Sequence, residues 1–157
     1  MKTNPRTQIP ILTAQDVMTP NPFTVSPKAR LFEIAGLFRS HRISGAPVVD
    51  GQGRLVGVIT ITDLIHFLER LRKKVRRHRG ALLDRLRQQR LTSTVRDVMT
   101  RKVLTVTPDT PMIKILDLVV GKNIHTIPVA RPNSKKIIGI IGRHDLTLAC
   151  LMGHWAS

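Results

Sequence analysis

Tyrosine is absent from this 157-residue chain, tryptophan and cysteine occur once each, and aromatic residues make up only 3% of it. With so few rings, Leu, Ile, Val and Met must fill the interior, which favours interlocked aliphatic surfaces. The single cysteine, Cys150, excludes an intramolecular disulfide. Its place in the apolar stretch 146–152 predicts a buried, inert thiol in a reducing compartment. No apolar run approaches the roughly 20 residues needed to cross a bilayer, and residues 1–10 lack the apolar core of a signal peptide. A soluble, cytoplasmic protein is the expectation.

Catalytic motifs are missing too. There is no Ser-centred nucleophile elbow, Walker-type loop or GxGxxG. His41, His66, His78, His125, His144 and His154 show no metal-ligand spacing with cysteines or paired carboxylates. No catalytic residue and no metal are assigned, and no cofactor is required.

What the chain does have is apolar residues, at 41%, and positive charge. Twenty-six Lys and Arg face 10 Asp and Glu, a net charge of +16. The distribution is uneven: from Glu69 to Arg90 ten Lys or Arg stand against two acids, so half of the excess sits in 22 residues. Charge of this kind points to nucleic acid, anionic membrane or phosphorylated ligands.

The sequence also repeats itself. Asp16-Val17-Met18-Thr19 returns as Asp97-Val98-Met99-Thr100, and Thr24-Val25-Ser26-Pro27 as Thr105-Val106-Thr107-Pro108, both at an offset of 81. The offset also aligns Pro47-Val48 with Pro128-Val129. One extra residue in the next turn then aligns Gly57 with Gly139 and Asp63 with Asp145.

Each copy carries the same local signals in the same order. Thr13 to Asp16 and Thr94 to Asp97 have capping-box spacing, which predicts a short helical turn with its Val-Met pair facing inward. A β-like Thr-Val follows. Pro27 and Pro111 stand where a first helical turn tolerates proline, ahead of apolar positions Leu31, Ile34, Ala35 and Phe38, and Ile115, Leu116 and Val119, at helical spacing. Residues 46–59 and 127–141 read as hairpins, each leading into a helix near Thr62 or Arg143. The expected fold is α+β, two tandem β-α-β-β-α repeats.

Taken together, the Asp-Val-Met-Thr opening, the Pro-Val-Val-Asp hairpin with Gly51, and Gly57-Val58-Ile59-Thr60-Ile61-Thr62-Asp63 resemble the cystathionine-β-synthase (CBS) domain. In that family the domain normally occurs as a tandem pair, the Bateman module. The resemblance covers residues 12 to 152. It implies packing around a pseudo-twofold axis, two clefts that take AMP, ADP, ATP, S-adenosylmethionine or related adenosyl ligands, and pairing as disc-like homodimers.

A strand ending at Ile59 and a helix beginning near Thr62 place backbone N–H groups and a positive helix end at the junction, where phosphate is favoured. Thr60 can donate to a phosphate oxygen, and Asp63 can accept from ribose hydroxyls. The same Thr-x-x-Asp also satisfies a capping box with no ligand present. By resemblance, the adenine lies between Thr24-Val25 and Ile43-Ser44-Gly45-Ala46-Pro47. The matching second site is Thr105-Val106 with His125-Thr126-Ile127-Pro128. There Asp145 is kept, but Gly142 replaces the hydroxyl, and Arg143 and His144 either supply cationic donors or are solvated helix-end residues. Unequal clefts are expected.

This divides the chain into a tail at 1–11, a first repeat at 12–69, a basic connector at 70–92, a second repeat at 93–152 and a tail at 153–157. Running into and through the connector, Leu64, Phe67, Leu71 and Val75, and then Leu82, Leu83 and Leu86, predict two helical pieces broken near Gly80. Residues 70–90 read as a solvated basic face, or as a contact for nucleic acid, anionic lipid or an acidic partner. Leu151, Met152 and Trp155 form an apolar end suited to packing in a dimer, or, for Trp155, to a satellite cluster on its own subunit. The expected function is a regulatory sensor of adenosine-containing ligands that signals to another protein, with a nucleic-acid-associated role as the alternative.

Overall fold

In the computed structural model, which describes residues 12–74, 79–134 and 136–152, the duplication is visible as two matching α+β units. The expected tails at 1–11 and 153–157, with Trp155, lie outside the described residues, as do Val75 and His78. The first half runs through α1 (Ala14–Val17), β1 (Thr19–Pro20), α2 (Leu31–His41), β2 (Gly45–Val49), β3 (Leu55–Thr60) and α3 (Ile61–Lys74). After α4 (Arg79–Thr92), the second half runs through a 3-10 turn (Val95–Asp97), α5 (Met112–Gly121), β4 (Thr126–Ala130), β5 (Ile137–Gly142) and α6 (Arg143–Met152).

Local chemistry explains most of these elements. Asp16 Oδ2 accepts from the Thr13 N–H and hydroxyl, both at 2.8 Å, and Asp97 does the same for Thr94 at 2.8 and 2.9 Å. Those bonds to the ionised form hold the Asp16 carboxyl below its ordinary range. The 3.6-residue spacing buries Leu31, Ile34 and Phe38 on α2, and Ile115 and Val119 on α5. Both hairpins are antiparallel, with Ala46 opposite Ile59 and Ile127 opposite Ile141, and both slip register at the same place, after Val48 and after Val129.

Two expectations are corrected, those on the prolines and on Cys150. Pro27 precedes α2 rather than opening it, because Arg30 is the N-cap and its N–H donates to Glu33 Oε2 at 2.9 Å; Pro111 is the N-cap of α5. The connector forms two helical pieces, α3 and α4, as expected; Gly80 is the second residue of α4, and the interval between the two pieces lies outside the described residues. Cys150 is exposed, since the apolar residues around it divide between the inner and outer faces of α6.

Neither unit is a continuous stretch of sequence. The opening turn of each repeat packs into the other repeat: Ala14 and Val17 join a core with Val106, Ile115, Ile127 and Ile141, while Val95 and Met99 join one with Ile34, Phe38, Val48 and Ile59. Backbone bonds repeat the exchange. Ala14 donates to Thr110 and Gln15 to Pro108, as Val95 donates to Ala29 and Arg96 to Pro27. The strands follow: β1 pairs with β5 through Thr19 and Ile140, and Thr100 exchanges two 2.9 Å bonds with Val58 on β3. These matching partners define a pseudo-twofold relation.

The exchange explains two glycines. A Cβ at Gly57 would sit 2.7 Å from Met99 Sδ and 3.0 Å from the Thr100 carbonyl oxygen, and one at Gly139 would collide with Met18. Gly57→Ala is therefore expected to lower stability by about 1–3 kcal/mol in urea unfolding. Combining it with Met99→Ala should cost less than the sum of the two, because one contact is shared. Strict additivity would contradict the interlock.

Candidate functional site

At the end of β3 the chain turns directly into α3, and Asp63 closes that turn. Its Oδ2 accepts from the Thr60 N–H at 2.8 Å and from the Thr60 hydroxyl at 2.7 Å. The Thr60 hydroxyl is thus spent on Asp63, so the capping-box reading of Thr-x-x-Asp holds in this structure. Asp63 Oδ1 accepts only a long 3.4 Å bond from Thr100, which arrives from the other repeat. One carboxylate oxygen fixes the turn while the second is lightly held.

A cleft of about 480 Å³ opens beside it. The first repeat contributes Val58, Thr60, Thr62, Asp63 and His66, and the second contributes Thr100, Lys102–Leu104 and Asn123–Thr126. Thr62 Oγ1 and His125 Nδ1 bridge the two sides at 3.1 Å. Val58, Val103, Leu104 and Ile124 supply apolar wall; Lys102, His66 and His125 supply cationic or ionisable groups. The size suits a small-molecule ligand.

The cleft beside Asp63 brings residues of the two half-sites named from sequence together. Thr60 and Asp63 line one cleft with His125 and Thr126, and Thr60 also pairs with Gly45 across the β2–β3 hairpin, while Thr24-Val25 is not among the residues that line this cleft. The cause is the exchange of opening segments, which draws Thr100 to Leu104 across to β3. Ala46, Pro47, Ile127 and Pro128 are withdrawn into the core, fully buried. The carbonyls of Pro47 and Pro128 accept from Val25 and Val106, both buried themselves, so these segments brace the hairpins from behind. Thr24 and Thr105 are exposed.

Around Asp145 the design is repeated in reduced form. Asp145 Oδ2 accepts from the Gly142 N–H at 2.7 Å, and Oδ1 from the Thr19 hydroxyl at 3.2 Å. Gly142 has no hydroxyl to add. By the repeat relation, Ser44, Ile43 and Gly45 stand here where His125, Ile124 and Thr126 stand in the first cleft, and His144 takes the place of Thr62. Arg143 donates to Asn123 Oδ1 at 2.8 Å and lines an apolar groove between α5 and α6. Gly45 and Thr126 touch at the axis, since a Cβ on Gly45 would lie 2.8 Å from Thr126 Oγ1.

Sequence reasoning missed Thr62, His66, Thr100, Lys102, Val103, Leu104, Asn123 and Ile124. Thr100 and Thr19 had a signal, the threonine that closes both Asp-Val-Met-Thr copies. The others carry none, because their role depends on which repeat they face.

The sequence profile of the CBS domain matches residues 14–70 and 95–151, more than half of the chain. The chain belongs to the CBS domain family. A Methanocaldococcus jannaschii protein is 31% identical to this CBS pair, over 90% of the chain and 92% of its own length. Other relatives are longer: the chain spans 39% and 23% of two further proteins of that organism. CBSX2 of Arabidopsis thaliana, solved in complex with AMP, is 27% identical with a TM-score of 0.69, over 89% of this chain and 96% of that one. A CBS domain pair solved with 5′-methylthioadenosine and S-adenosyl-L-methionine is 26% identical with a TM-score of 0.68, over 92% and 98%.

The two aspartates of this CBS pair differ in what they hold. Asp63→Ala removes bonds to both the N–H and the hydroxyl of Thr60 and should cost about 1–2 kcal/mol. Asp145→Ala removes only the Gly142 bond from its turn and should cost less. Urea unfolding of both variants checks the order, and equal costs would contradict it.

Proposed function

We propose that this CBS pair is a non-enzymatic regulatory module that takes an adenosine-containing ligand, of the AMP, ADP, ATP or S-adenosylmethionine type, in the Asp63 cleft and signals to a partner protein. The observation that carries the reading is the division of labour on Asp63. Oδ2 is fixed by Thr60, which leaves Oδ1 oriented to accept from ribose hydroxyls without losing the turn. The apolar wall of Val103, Leu104 and Ile124 accommodates the base. A 5′-phosphate finds Lys102, His66, the Thr62 hydroxyl and the N-terminus of the 14-residue α3. The same groups disfavour a cationic sulfonium, so AMP is preferred to S-adenosylmethionine.

Calorimetric titration tests this. AMP should bind more tightly than S-adenosylmethionine, and Asp63→Asn, which keeps an acceptor for Thr60, should weaken AMP by about tenfold or more. AMP affinity indifferent to both Asp63→Asn and Lys102→Gln would remove the site.

Copies of the chain pair through the face of α5 and α6. There Ile113, Val120 and Leu151 are 61%, 74% and 79% exposed, beside a groove of about 490 Å³ lined by Leu116, Val119, Leu146 and Cys150. Phe32, Ile65 and Leu68 form the corresponding apolar surface on α2 and α3, so a twofold pairing covers both faces. Sedimentation equilibrium should find a dimer that Val120→Asp with Leu151→Asp converts to monomer. A monomeric parent protein would refute the pairing.

A further inference from the structure

The strongest charge on the molecule lies away from the cleft. The C-terminal part of α3 is anchored by Leu71, which is 5% exposed, and this turns Arg70, Arg72 and Lys73 outward around it. On α4, Arg85 and Arg87 are exposed as well. The two acids of this region are already engaged: Glu69 pairs with Lys73 at 3.2 Å and Asp84 with Arg87 at 3.7 Å. Arg70, Arg72 and Arg85 have no ion pair among the described residues. The hydrogen bond and charge of Lys73, with Arg72 and His66 behind it, hold the Glu69 carboxyl below its ordinary range, as expected in a positive field.

We propose that the exposed cations of α3 and α4 form a docking surface for double-stranded nucleic acid, held through its phosphate backbone. Eight of the ten basic residues between Glu69 and Arg90 are arginine, whose planar fork binds phosphate oxygens in pairs. A duplex presents one charge per about 1.7 Å of axis, a density that rewards several fixed cations at once. Other anionic surfaces fit less well. No Phe, Tyr or Trp occurs from Glu69 to Leu91, so the large rings on which a single strand stacks are missing. The sequence of α4 carries three leucines close together, Leu82, Leu83 and Leu86, and no Trp or Phe, a short apolar stripe for insertion into a lipid interface. An acidic protein partner would need apolar anchors, and Leu83 is the one large apolar side chain on α4 described as exposed, at 60%.

The test compares the parent chain with a variant carrying Arg70→Gln, Arg72→Gln and Arg85→Gln. A control variant carries Lys28→Gln, Arg39→Gln and Lys114→Gln, exposed cations elsewhere that change the net charge equally. Fluorescence anisotropy follows a duplex of about 20 base pairs without adenosyl ligand, from about 50 to 200 mM salt. The parent should bind, and the first variant should bind roughly tenfold more weakly than the control at the lower salt, with a salt slope shallower by about two to three. Thermal unfolding midpoints matching the parent exclude misfolding as the cause. Equal losses in the two variants would overturn the proposal. So would equal or tighter binding of the single strand, or tighter binding to phosphatidylcholine vesicles containing about 30% phosphatidylserine. Because no adenosyl ligand is present, failure here leaves the reading of the Asp63 cleft untouched.

Discussion

The reciprocal exchange of opening segments is the constraint on which the rest of this structure depends. Each repeat lends its capped turn and its Val-Met pair to the other repeat's core, and Met18 and Met99 seat against glycines that carry no Cβ. Neither core is complete from its own stretch of sequence, so the two halves bury their apolar faces only as a pair. The same crossing carries Thr100 to Asp63 and Thr19 to Asp145. Packing and site construction are therefore one event: the segment that completes a core also completes a cleft.

Symmetry of the backbone does not extend to the side chains around Asp63 and Asp145. Across the axis, Thr126 occupies the room that Gly45 leaves, and His125 answers to Ser44. Thr60 gives Asp63 two bonds where Gly142 gives Asp145 one. The first cleft gathers Lys102, His66 and His125 near an oriented carboxylate. At the second, Arg143 is drawn to Asn123. Duplication has supplied one geometry, and substitution has made its two copies chemically different.

Helix α3 joins the two chemical regions of the molecule. Its first turns carry Thr62, Asp63 and His66 in the cleft, and its last turns carry Arg70, Arg72 and Lys73 on the outer surface. At about 1.5 Å per residue, its 14 residues span about 21 Å, with Leu71 pinning the far end to the core. The cleft and the basic surface thus share one rigid element.

Much of this was legible in the residues themselves. The Asp-Val-Met-Thr and Thr-Val repeats, the capping boxes at Thr13 and Thr94, the helical spacing of Leu31, Ile34 and Phe38, and the two β-rich runs of each hairpin all depend on neighbours a few positions away. Local geometry of that kind is encoded locally. The Thr60–Asp63 turn was legible for the same reason. What lines the cleft beside that turn was less so: sequence order set its own repeat's Thr24-Val25 and Ile43 to Pro47 next to it, and the fold, while keeping Gly45 paired with Thr60, brings in Lys102–Leu104 and Asn123–Thr126 from the other repeat. No local pattern distinguishes a repeat that closes on itself from one that exchanges its opening segment, because both bury the same residues. Only the tertiary packing of Met18 on Gly139 and Met99 on Gly57 decides between them, and with that choice it decides which residues share a cleft.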